Sequence, residues 1–155
     1  MKQLVQQSDL NIYFDDLTEE LPIWELDEDE ARRLWRETFD ARSTVFFNLP
    51  DDSWVETERG VDIGDWRPCL NEEDFEPFRQ SLSAGVPWRA QDEVLFAATC
   101  ATILQTTWEA FLRYWPGFLY LRSDAPILLS PQHPRQCVLF FPGGRTLFID
   151  ASQSK

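Results

Sequence analysis

Histidine, paired cysteine and positive charge are what this 155-residue chain has least of, and each scarcity excludes something. There is one histidine, His133, and there are three cysteines, Cys69, Cys100 and Cys137, far apart and with no C-x-x-C pair. Zinc is held by clustered His and Cys ligands, so no metal is expected. An odd number of separated cysteines reads as reduced thiols in a cytoplasmic protein, where they serve as small core residues. No run approaches the roughly 18 consecutive apolar residues of a membrane span, so no membrane is expected as partner. The segment Met1 to Asp9 also lacks the apolar stretch of a signal peptide. G-x-S-x-G, G-x-x-x-x-G-K-[ST], G-x-G-x-x-G and H-E-x-x-H are all missing, so the sequence assigns no catalytic residue and no cofactor.

Basic residues number 14 against 27 acidic ones, a net charge of −13. The imbalance is one-sided along the chain. Residues 1–93 hold 24 Asp and Glu against 9 Lys and Arg, whereas residues 94–155 hold 3 against 5. A phosphate backbone would be repelled by the acidic part, which excludes nucleic acid as a partner and favours a basic protein. Acidity also keeps a chain with seven tryptophans in solution, which is the plainer explanation of the same charge. What the chain has in quantity is apolar and aromatic residues, 43% and 14%, and these exclude a disordered chain. At this length one domain, residues 1–155, is expected.

The pattern predicts an α+β fold: a C-terminal antiparallel meander packed on a central amphipathic helix, with two helices before it. Trp108, Phe111, Leu112 and Trp115 lie at i, i+3, i+4 and i+7, one face of a helix over 106–115. Thr106 with Glu109 reads as its capping box, and Pro116-Gly117 as its stop. Ala31, Leu34, Trp35, Thr38 and Phe39 predict a helix over about 28–40, whose acidic start suits the helix dipole and whose Glu28–Arg32 pair is spaced i, i+4. Phe75, Phe78 and Leu82 predict another over about 74–83, capped by Asn71 or Asp74, with Pro77 confined to its first turn.

Strands are expected at 94–98, 118–121, 127–129, 137–141 and 146–149, the last two joined by a Pro142-Gly143-Gly144-Arg145 turn. Ala101 to Gln105 reads as a lead into the central helix. Ile12-Tyr13-Phe14 and Val45-Phe46-Phe47 suggest short strands or a loop plug, Leu21 to Trp24 is expected to be extended, and residues 43–70 are the least regular part.

Thr106-Thr107-Trp108, Phe111, Trp115, Phe118-Leu119, Asp124, Pro126-Ile127-Leu128 and a final hairpin resemble a family of small uncharacterised bacterial proteins. That family shares a TTW-x-x-F-x-x-x-W-x-x-F-L core followed by D-x-P-I-L, and the resemblance covers roughly residues 93–150. It implies a single-domain, acidic, cytoplasmic protein and brings no catalytic residue. In architecture the chain also looks like the acidic, Trp-rich immunity proteins of bacterial toxin systems, an analogy of composition and not of motif.

Two functions are weighed on these residues. The first is a non-enzymatic protein-binding module, inhibitor- or immunity-like, in which Asp51, Asp52, Glu56 and Glu58 meet a basic partner and exposed members of Trp54, Trp66 and Trp88 supply anchors. The second is a small enzyme using carboxylates and His133, which stands in a loop between Pro131 and Pro134. A thiolate–imidazole pair of His133 with Cys137 or Cys100 is one form of it. A concave pocket holding His133 and a converging acid would support the second, and a convex, solvated loop would remove it.

Overall fold

The computed structural model describes residues 2–4 (as backbone), 23–39, 55, 60–71, 74–120 and 126–151. Within them eight strands form one sheet: β1 Lys2–Leu4, β2 Trp24–Leu26, β3 Val61–Asp65, β4 Glu93–Ala97, β5 Ile103–Thr107, β6 Ile127–Leu129, β7 Gln136–Phe140 and β8 Arg145–Asp150. The spatial order is β1-β2-β5-β4-β6-β7-β8-β3, and every pairing is antiparallel. Four helices accompany it: α1 Glu28–Thr38, α2 Trp66–Asn71, α3 Glu76–Gly85 and α4 Trp108–Tyr120. The class is α+β, with the expected meander in β6, β7 and β8.

Successive residues of a strand point to opposite faces, and here both faces are covered. Val94, Phe96, Val138, Phe140 and Phe148 share a core with the helix residues Trp66, Phe78, Leu82, Trp108, Phe111, Trp115 and Phe118. Leu95, Ala97, Cys137, Leu139, Leu147 and Ile149 share the opposite core with Ala31 and Trp35 of α1 and with Val55. This two-sided burial explains why the strands read as continuous apolar runs and not as alternating ones.

The two helices predicted before the central one are present. Asp27 caps α1 by accepting a hydrogen bond from the Glu30 amide at 2.8 Å, and Arg32 pairs with Glu28 at 2.9 Å. In α3, Pro77 stands in the first turn as expected, yet the N-cap position belongs to Phe75, with no side-chain cap from Asn71 or Asp74.

The central helix differs from expectation at both ends. Residues 103–107 are strand β5, paired along its length with β4. The cap is therefore Thr107, whose hydroxyl accepts from the Ala110 amide at 3.2 Å, while the Thr106 hydroxyl is buried without a hydrogen-bond partner. Downstream, Pro116 does not stop the helix. The backbone breaks at Tyr114 (φ −120°, ψ 22°), so Pro116 falls in the first turn of a second helical piece, where its missing N–H costs nothing. Phe118 and Leu119, expected in a strand, thus continue the buried helix face.

In the stretch expected to be irregular, β3 and α2 were missed. β3 is a polar edge strand with a register shift between Asp62 and Gly64. α2 is only six residues long, too short to show a helical period. Ile12-Tyr13-Phe14, Val45-Phe46-Phe47, Trp54, Asp51, Asp52, Glu56 and Glu58 lie outside the described residues. Among the described residues no helix is long and apolar enough to cross a membrane.

Candidate functional site

Two of the proposed tryptophan anchors are core residues. Trp66 is fully buried; its indole N–H donates to the Phe141 carbonyl at 3.0 Å and its amide to the Gly144 carbonyl at 3.0 Å, which docks α2 onto the β7–β8 hairpin. Trp88 is 6% exposed and packs edge-on against Trp108, with ring centroids 5.3 Å apart. Neither can anchor a partner, because each already has its apolar surface and indole N–H satisfied inside the protein. Sequence context misled here: both stand among polar, Pro- and Gly-containing residues, yet their rings reach inward.

Trp88 has a different role. Its ring stacks on His133, with centroids 6.0 Å apart and planes inclined by 15°, and its indole N–H donates to Gln136 Oε1 at 2.8 Å. His133 belongs to the loop Ser130–Arg135 between β6 and β7, which is tied down at several points. The Ser130 hydroxyl donates to the Glu93 carbonyl at 2.8 Å, Gln132 Oε1 accepts from the Glu93 amide at 3.0 Å, and the His133 amide donates to the Ser130 carbonyl at 3.0 Å.

The imidazole itself is held by Asp92, with Nε2 and Oδ2 2.7 Å apart. Asp92 sits in a turn fastened to the start of α4. Its carbonyl accepts from the Trp108 amide at 2.8 Å, and the neighbouring Ala90 carbonyl accepts from the Glu109 amide at 3.0 Å. The first orphan amides of the central helix are therefore satisfied by the turn that presents the carboxylate. The Arg89 backbone amide, donating to Oδ2 at 2.8 Å, and then the His133 ring hold the Asp92 carboxyl below the usual carboxylate range. With an ionised Asp92 accepting at Nε2, a neutral His133 carries its proton there and leaves Nδ1 as an acceptor. Among the described residues Nδ1 has no hydrogen-bond partner.

His133 lines a cleft of about 440 Å³ between α1 and the loop, within the size range of small-ligand pockets. Leu34, Leu95 and Leu129 form its apolar part, and Glu37 of α1 and Arg135 of the loop bring opposite charges to it. Arg135 has a left-handed backbone, φ 68°, unusual for a residue with a β-carbon; its carbonyl accepts from the Ala151 amide at 2.8 Å. That hydrogen bond helps hold the unusual conformation.

The structure thus joins His133 to Asp92, 41 residues earlier, and to Trp88, Glu37 and Arg135, none of which the sequence connected to it. The one available signal was a histidine placed between two prolines. Neither Cys137 nor Cys100 bonds His133; Cys137 is fully buried on the sheet, where burial pushes its thiol pKa up and keeps it protonated. Among the described residues no group of three His, Cys, Asp or Glu side chains could hold a metal ion.

The chain matches the DUF2947 family of proteins of unknown function over residues 2–147, and so belongs to that family. This agrees with the resemblance to a family of uncharacterised proteins. No curated protein and no solved structure matches it.

Proposed function

We propose that this protein is a non-enzymatic binding module that meets a basic protein through its acidic N-terminal part, in the manner of an inhibitor or immunity protein. The observation that carries this reading is the division of charge: 24 acidic against 9 basic residues in 1–93, beside 3 against 5 in 94–155. The second part supplies most of the buried sheet, so its low charge follows from packing. The excess acid of the first part has no such origin. Local pairs offset some of it, Arg32 with Glu28 and Arg79 with Glu76, and leave most of it unbalanced. With Trp66 and Trp88 buried, Trp54 is the remaining anchor of the original three, beside Asp51, Asp52, Glu56 and Glu58.

Charge complementarity of this kind acts mainly on association rate and on partner choice. The test is capture from native lysate at low ionic strength, elution along a salt gradient and identification by mass spectrometry. One basic protein leaving at moderate salt supports the reading. Retention of no basic protein, or elution that ignores salt, contradicts it.

A second reading has an observation of its own, the concave cleft holding His133 with Asp92 bonded to it. In that reading the protein is a small enzyme and His133 Nδ1 is a general base, oriented by Asp92 as catalytic histidines are. The Ser130 hydroxyl is committed to the Glu93 carbonyl and Cys137 is protonated, so the attacking group would come from the substrate or from water. A turnover that His133→Gln abolishes while the fold persists would favour this reading over the first.

A further inference from the structure

We infer that the cleft between α1 and the Ser130–Arg135 loop binds a small zwitterion with an apolar body, the chemistry of a free hydrophobic amino acid. This inference does not depend on the binding of a basic protein and stands or falls without it.

The charges at the cleft are the first reason. Arg135 is exposed at its rim and makes no ion pair among the described residues, and the same is true of Glu37 on the α1 side. A smaller hollow of about 200 Å³ adjoins the cleft, sharing Leu34, Glu37 and Leu95, and is lined by Glu30. Arg33 and Glu93 also border that hollow. A ligand carboxylate on the Arg135 guanidinium and a ligand ammonium toward the Glu37 carboxylate would pair both of these charges. An anion alone would meet the Glu37 carboxylate uncompensated, and a cation alone would meet Arg135.

The floor is the second reason. Leu34, Leu95 and Leu129 line the cleft with Pro131 and Pro134 beside them, an apolar surface that would bury the side chain carried by the carbon that bears both charges. The third is that the loop wall is fixed before any ligand arrives. Asp92 and Trp88 hold His133, Trp88 holds Gln136, and the Ala151 amide holds the left-handed Arg135. Fixing polar groups in advance lowers the ordering cost of binding.

The probe set is L-phenylalanine, 3-phenylpropanoate (no ammonium) and 2-phenylethylamine (no carboxylate), each titrated into the full chain labelled with ¹⁵N-histidine. His133 is the only histidine, so one imbidazole pair of signals reports on the cleft. We expect saturable shifts with phenylalanine and affinities about tenfold weaker or worse for both truncated probes, the usual loss when one charged contact goes. Arg135→Gln should weaken phenylalanine and phenylpropanoate and leave phenylethylamine unchanged; Glu37→Gln should weaken phenylalanine and phenylethylamine and leave phenylpropanoate unchanged. Both side chains are exposed, and unchanged thermal unfolding will show that the variants fold. Three probes of equal affinity, no saturable shift with any of them up to about 20 mM, or binding indifferent to both substitutions would overturn the inference.

Discussion

Asp92 Oδ2 lies 2.7 Å from His133 Nε2, and the same carboxylate oxygen accepts the Arg89 amide at 2.8 Å. One side chain thereby ties the turn at the head of the central helix to the loop between β6 and β7. The chain brings them together because β4 pairs with β6, which sets the residue before one strand beside the loop after the other.

The Asp92 carboxyl is held below the usual carboxylate range by the Arg89 amide first and the His133 ring second. A depressed folded-state pKa gives stability that is present above the unfolded value and is lost as pH falls through the folded one. Thermal unfolding followed downward from neutral pH should therefore show a steeper acid loss, below about pH 4, than the Asp92→Asn variant shows over the same range. Parallel acid limbs for the two proteins would count against the pair.

The two threonines at the β5–α4 junction should behave oppositely. Thr107 caps α4, so Thr107→Ala is expected to lose about 1 kcal/mol in urea unfolding. The Thr106 hydroxyl is buried without a partner, so Thr106→Val, which keeps the shape and removes the orphan, is expected to gain about 1 kcal/mol. Were Thr106 the cap, Thr106→Val would lose stability and Thr107→Ala would change it little.

Trp66→Ala should lose about 3–5 kcal/mol, the usual cost of emptying a large aromatic site. It removes a fully buried ring and its indole hydrogen bond to the Phe141 carbonyl, and it undocks α2 from the hairpin. An exposed partner anchor would instead lose less than about 0.5 kcal/mol of stability on the same substitution.

How much of this was legible in the sequence varies by element, for physical reasons. α1 was readable because its cap, its acidic first turn and its apolar stripe all agree, and they act locally. β4, β6, β7 and β8 were readable because strands buried on both faces are plain apolar runs. β5 was not, since Ile103-Leu104-Gln105-Thr106-Thr107 runs without a break into a helix and only its pairing with β4 makes it a strand. Pro116-Gly117 carried a strong stop signal that core packing overrode once the break at Tyr114 placed the proline in a first turn. The candidate site was the least legible part. His133 drew attention by its prolines, but Asp92 and Trp88 reach it through the pairing of β4 with β6, and Glu37 through the packing of α1 on the sheet. Trp66 and Trp88 show the converse: a polar neighbourhood in sequence says little about where a ring points.

The charge-driven binding proposed for this protein is tested most directly by association kinetics against the captured basic partner at several salt concentrations. The wild type is compared with a variant carrying Asp51→Asn, Asp52→Asn, Glu56→Gln and Glu58→Gln. We predict association at low salt about tenfold slower for the variant, a gap that closes as salt rises, and a dissociation rate that changes little. Equal association rates at every salt concentration would contradict an electrostatic binding role for these acids.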